Sequence, residues 1–139
     1  MSKDLPAFET NPWADGPPLA ERRVALVTTA GLHHRRDDAF SFVDLSYRVI
    51  PGDSDLEELT MTHSSVHFYR TGFREDVNTV SPLDRLRWLE RDGLIGSVAA
   101  HLYSLMGAGW PPHMIEGTSR ELARLLMADH VDAVCLVPV

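Results

Sequence analysis

A chain of 139 residues with 44% hydrophobic and 24% charged residues is long enough for one domain with a real core. Its 20 acidic residues outnumber 13 basic ones, giving a net charge of −7; this argues against a nucleic-acid or anionic-membrane partner, since both need clustered Lys and Arg. No apolar run is long enough to span a bilayer, residues 1–10 lack a signal-peptide pattern, and the single cysteine, Cys135, excludes an internal disulfide framework, so the cytoplasm is the expected compartment.

Residues 1–20 hold Pro6, Pro12, Pro17 and Pro18 without periodicity and read as an extended arm with Trp13 as its anchor; residues 21–139 read as an α/β domain. Val24-Ala-Leu-Val-Thr-Thr29 is a continuous apolar run, as expected of an interior parallel strand, and opens into Ala30-Gly31-Leu32-His33-His34. Residues 35–47 carry no clear period. Tyr47-Arg-Val-Ile50 is a short strand closed by the turn Pro51-Gly52-Asp53, residues 55–58 suit one helical turn, and Leu59-Thr-Met-Thr62 is a strand emptying into His63-Ser-Ser-Val-His67.

Ser81-Pro-Leu-Asp84 predicts a helix start, with serine as cap, proline at the first helical position and an acid at the positive end of the dipole. Leu83, Leu86 and Leu89 give its stripe and Gly93 its end. A strand over 95–100 then runs into His101-Leu-Tyr103. Thr118-Ser-Arg-Glu121 predicts a capping box, followed by a helix buried through Leu122, Leu125 and Leu126 and ending near Asp129. The closing strand starts at Val131 or Asp132 and runs apolar to Val139. The pattern predicts a single three-layer α/β domain, with a mostly parallel, Rossmann-like sheet whose last strand lies at the C-terminus. The crossovers at 81–93 and 118–130 should be right-handed.

Ligand sites in such folds form beyond the carboxyl ends of the strands. On this reading the first strand delivers Thr28, Thr29, Gly31, His33 and His34. The third delivers His63, Ser64 and His67, the fourth His101, Tyr103 and Met106, and the last whatever follows Val139. Five of the seven histidines then fall just after strands, which is either a functional cluster or the ordinary preference of His for loops. His33, His63 and His101 are the candidate catalytic residues. Thr28, Thr29, Gly31, Ser64, Tyr103 and Val139 are candidate substrate contacts.

Arg74, inside Arg74-Glu-Asp-Val-Asn78, can fork a substrate carboxylate, although the segment also suits a purely structural helix entry. No metal is expected: His63 and His67 bind zinc well only from one helical face, and Ser64-Ser65 disfavour a helix. Gly31 and Gly107-Ala-Gly109 match no phosphate-binding spacing and read as turns. Cys135, inside an apolar strand, reads as packing. A final parallel strand with no covering helix predicts a domain incomplete at its C-terminus, exposed apolar surface, and a homo-oligomer.

Several segments occur together in order. They are Val24-Ala-Leu-Val-Thr-Thr-Ala-Gly31-Leu-His33, Tyr47-Arg-Val-Ile-Pro-Gly-Asp53, Thr62-His63-Ser64, Phe73-Arg-Glu-Asp-Val-Asn78, Pro82-Leu-Asp-Arg85-Leu, Gly93-Leu-Ile-Gly-Ser-Val98 and Val131-Asp-Ala-Val134. From about residue 22 to the end, the chain resembles the selenoprotein B family of glycine, sarcosine, betaine and D-proline reductases. The resemblance implies a selenocysteine or cysteine immediately after Val139, at a codon that ordinary expression reads as stop, and no other cofactor. It also implies reductive cleavage of a small-molecule substrate by a selenol or thiol, a thiol or protein electron donor, and an anion-stabilising or proton-supplying role for His33, His63 or His101. Two other readings compete: a binding or oligomerisation module ending naturally at Val139, and a metal-dependent hydrolase using the histidines.

Overall fold

The computed structural model describes residues 9, 11, 13–65, 70–107 and 110–139. In chain order the elements are β1 (Arg23–Thr28), β2 (Leu32–His34), β3 (Tyr47–Pro51), β4 (Leu59–Met61), α1 (Arg70–Glu75), α2 (Leu83–Arg91), β5 (Ser97–Val98), β6 (His101–Leu105), α3 (Pro112–Ala128) and β7 (Ala133–Val137), with 3₁₀ turns at Leu19–Glu21, Leu56–Glu58 and Val77–Thr79. Half of the arm expected over 1–20 lies outside the described residues, Pro6 and Pro12 included, and Trp13, its expected anchor, is 75% exposed.

β1 is the centre of the main sheet. β7 lies parallel along one side of it, from Val24↔Ala133 to Thr28↔Val137. On the other side the start of β1 pairs with β5 and its end with β6, both parallel, so β5 and β6 act as one strand interrupted at Ala99 and Ala100. Gly52 fits against the interruption: its N–H bonds Ala100 O at 2.7 Å, and a Cβ there would stand 2.7 Å from Ala99 O. β3 adds antiparallel to β6, and β2 and β4 form a separate antiparallel pair. The fold is therefore mixed α/β with a mostly parallel sheet plus antiparallel strands.

Strand alternation assigns the two faces. Val24, Leu26 and Thr28 share one face with Ala133, Cys135 and Val137, and α2 lays Leu83 and Leu86 into the same core cluster. Tyr103 and Tyr47 face the other way, ring to ring at 6.2 Å, and Tyr47 Oη donates to Glu121 on α3 at 2.9 Å. Only Leu122 of α3 is buried. The helix covers the β3–β6 half of this face and leaves Val134 and Leu136 of β7 40% and 71% exposed. Along its outer edge β7 has no strand neighbour among the described residues.

Three local expectations are corrected. The strand expected over 95–100 breaks and resumes, so His101 opens β6 instead of following a strand. α3 begins at Pro112, where proline suits the first turn; Thr118 sits inside it and donates to Leu45 O at 2.8 Å instead of capping. Ser81 does not cap α2. Its N–H closes the preceding turn onto Val77 O, its hydroxyl is buried without a partner among the described residues, and Asn78 Oδ1 accepts from Asp84 N at 3.1 Å in its place.

Candidate active site at the carboxyl rim

The carboxyl ends of β1, β6 and β7 converge on one rim. Thr29 stands at its centre. Its N–H bonds Val137 O at 3.1 Å and its carbonyl accepts from Gly107 N at 2.8 Å. Its hydroxyl accepts from Val139 N at 2.9 Å and lies 3.4 Å from Val139 O. Gly31 turns the chain away from β1 with φ +66°, a conformation that favours glycine. Its N–H bonds Leu105 O and its carbonyl receives Thr62 N; a side chain there would overlap the Thr62 carbonyl. That contact brings the end of β4 to the rim, where Ser64 N points at Met106 Sδ at 3.3 Å.

His63 is buried at this junction. Its Nδ1 accepts from Ser65 N at 3.1 Å, so the neutral ring carries its proton on Nε2. Thr29, Gly31, His63, Ser64 and Val139 are thus brought together at the carboxyl rim. The hydroxyl, imidazole and thioether groups here are neutral hydrogen-bonding or polarisable partners for a reacting atom at the strand ends.

The remaining candidates fall elsewhere. Thr28 is fully buried, donating to Val80 O at 2.7 Å and accepting from Ala30 N at 3.2 Å, so it braces the core beneath the rim. His33 and His34 belong to β2 and do not lie in a loop after β1. His33 uses both ring nitrogens: Nδ1 donates to His34 O at 2.8 Å, and Nε2 accepts from the Thr62 hydroxyl at 2.9 Å. It stands behind the rim, one residue from His63. Tyr103 lies mid-strand facing α3; burial, and then the Asp129 carboxylate, push its hydroxyl above the usual tyrosine range. His101 is exposed at the amino edge of the sheet, where its charge acts on Asp129. His67 is outside the described residues.

Arg74 lies in the last turn of α1 and lines an open groove of about 1190 Å³, together with His34, Arg36, Thr60, Phe73 and Asn78. Leu59 and Thr60 border this groove while Thr62 to Ser64 reach the rim, so groove and rim occupy opposite ends of β4, about 10 Å apart at the rise of a strand. Asp76 and Asn78 beside Arg74 organise the entry to α2, as the structural reading of that segment expected. Among the described residues, no three His, Cys, Asp or Glu side chains are grouped to hold a metal, and no helix is long and apolar enough to cross a membrane.

Three rim residues are not among the candidate contacts, although the sequence places Met106 at a strand end. Thr62 bridges Gly31 to His33, Met106 forms an isolated bridge with Ala30, and Gly107 packs on Thr29 and Val139. Met106 and Gly107 directly follow β6, so a strand placed correctly at 101–105 points to both.

The family described as glycine/sarcosine/betaine reductase selenoprotein B matches residues 5–139. The D-proline reductase subunit gamma of Acetoanaerobium sticklandii is 37% identical over 121 residues, covering 85% of this chain and 49% of that protein. The glycine reductase complex component B subunit gamma of Symbiobacterium thermophilum is 31% identical over 144 residues, covering 95% of this chain and 32% of that protein. The sarcosine reductase complex component B subunit beta of Peptoclostridium acidaminophilum is 30% identical, with 28% of its length covered. The chain thus spans about half the length of these relatives or less. No solved structure matches it.

Proposed function

The chain belongs to the glycine/sarcosine/betaine reductase selenoprotein B family, and on that premise we propose that it forms the rim from which a selenol or thiol, carried immediately after Val139, reductively cleaves a small substrate. The observation that carries this reading is the attachment of Val139 to Thr29 at the carboxyl edge of the sheet, amid neutral hydrogen-bonding groups. A selenol is ionised at neutral pH, whereas a free thiol near pKa 8.5 mostly is not, so surroundings that stabilise the anion matter most for sulfur.

In this reading His63 stabilises the anion or supplies a proton, and Ser64, Gly31 and Thr29 border the reacting atom. His33 acts through Thr62, while Arg74, in the groove about 10 Å from the rim, lies beyond the reach of a small substrate held at the reacting atom. His101 and Tyr103 take no part, since both stand away from the rim. Reducing equivalents come from a thiol or a protein donor. The relatives' names, which describe subunits of reductase complexes, support a protein partner. A selenol or thiol persists in a reducing compartment, so the reading places the protein in the cytoplasm. It also takes the architecture as three-layered and Rossmann-like, supported by α2 and α3 on opposite faces of the sheet.

The test is the nucleotide sequence past codon 139. A stop-type codon followed by continuing open frame, or a cysteine codon, is expected; a frame that closes there overturns the reading. A second reading, an assembly module, is favoured by the bare edge and exposed face of β7. It predicts self-association through Val134 and Leu136, which light scattering detects and a monomer at micromolar concentration contradicts.

A further inference from the structure

We infer that Thr29 and Gly107 are positioning residues that clamp the backbone of Val139 and so fix where the chain leaves β7. The inference rests on the reading above for its functional meaning, but its geometry stands alone. The regular ladder between β1 and β7 ends at Thr28↔Val137. Thr29 N still reaches Val137 O at 3.1 Å. Beyond that point Pro138 has no N–H to offer. The amide of Val139 is the next donor, and the Thr29 hydroxyl receives it at 2.9 Å. The side chain just past β1 thus replaces the backbone acceptor that a longer strand would have provided, carrying the hold on the exiting chain two residues past the ladder.

Gly107 closes the other side. A Cβ there would stand 2.8 Å from Val139 O, 2.8 Å from Thr29 O and 2.9 Å from the Thr29 hydroxyl. The exits of β1, β6 and β7 therefore meet backbone to backbone, leaving no room for even a methyl group. Gly107 N, donating to Thr29 O at 2.8 Å, locks the residue whose hydroxyl does the holding. Neither residue needs to touch a substrate: each acts on the reacting position by fixing the backbone that leads to it.

Amide hydrogen exchange at Val139, with Cys135 as internal reference, tests the clamp. Thr29→Val retains bulk but removes the acceptor, and should speed exchange at Val139 about tenfold while leaving Cys135 unchanged, as expected for the loss of one hydrogen bond. Thr29→Ser should restore protection. Unchanged exchange at Val139 in Thr29→Val, equal acceleration at Cys135, or failure of serine to rescue overturns the inference. Gly107→Ala should release Val139 in the same way; if that variant does not fold, the Thr29 pair still decides.

In the product of the complete reading frame, the pH profile for alkylation of the selenol or thiol should shift in Thr29→Val and return in Thr29→Ser. An unshifted profile overturns the positioning role. A frame with no such residue removes the reductase reading, and with it the role, while the exchange result still reports whether the clamp exists.

Discussion

The two ends of β1 are held by different chemistry. At the amino edge, Arg23 works as a charged hub. Its guanidinium pairs with the Asp129 carboxylate at 2.7 Å and also reaches Asp129 O, Ser97 Oγ and Val98 O, while its N–H bonds the Asp132 carboxylate. Asp129 in turn receives Ala100 N at 2.8 Å. Burial raises the Asp129 carboxyl, but hydrogen bonds from Arg23 and Ala100 and the charges of Arg23 and His101 outweigh it and hold the group below the usual carboxylate range. At the carboxyl rim the same three parallel strands are joined by hydroxyls, backbone amides and two glycines. The contrast separates fastening from chemistry. The ion pair sits where no reaction is proposed, and the rim is left to neutral groups that do not neutralise an anion in advance.

Altering one end at a time sharpens this contrast. The largest effect is expected at the rim. Gly31→Ala combines the cost of a side chain at positive φ with overlap on the Thr62 carbonyl, and should lose about 3 kcal/mol in urea unfolding. If it unfolds like the parent protein, the close approach of the β1 and β4 ends is wrong. Next is Arg23→Ala, which strips several charge-assisted bonds and should lose about 2 kcal/mol. Exchange at Val139 should stay unchanged in this variant, and acceleration there would show that the two ends are coupled.

A smaller effect concerns pH. Because the folded-state pKa of Asp129 is depressed, its contribution to stability is present above the unfolded value of about 3.9 and is lost as pH falls through the folded value. Asp129→Asn should therefore lower the urea midpoint at pH 7 and make it less sensitive to acid below about pH 4. A variant with the parent's acid dependence would remove Asp129 from the account. The smallest change is expected for His101→Ala, within about 0.5 kcal/mol in urea unfolding as at other exposed positions; a larger loss would show that His101 takes part in the Arg23–Asp129 cluster.

Sequence legibility followed the range of each signal. β1, β7 and α2 were readable because continuous apolar runs and a leucine stripe are local patterns. β2 was not, because Leu32-His33-His34 is buried at every position and two of its three side chains are polar, leaving no alternation to detect. α1 has only six residues, and α3 hides its start behind Pro111-Pro112, while Thr118 and Glu121 imitate a cap from inside the helix. At the site, local pattern put Thr29, Gly31, His63, Ser64 and Val139 near strand ends, but it put Thr28, His33, His101 and Tyr103 there as well, and these stand away from the rim. The inward turn of Thr28 and the approach of Gly107 to Val139 were not, since both depend on partners far away in sequence. The misplacement of His101 came from the interruption between β5 and β6, where Ala99-Ala100 gives no sign that pairing stops and resumes.

The pairing of β1 with β7 bears on how the protein is made. The first strand waits for its full-length neighbour across 109 positions, the separation of Arg23 and Asp132 where the two segments first join. At ribosomal speeds of about 5–20 residues per second, roughly 5–20 s pass between the emergence of the two. Throughout that interval the nascent sheet has an open, apolar flank. Synthesis slowed within this span would prolong the aggregation-prone stage, making late elongation rate, more than codon choice near the start, the lever on soluble yield.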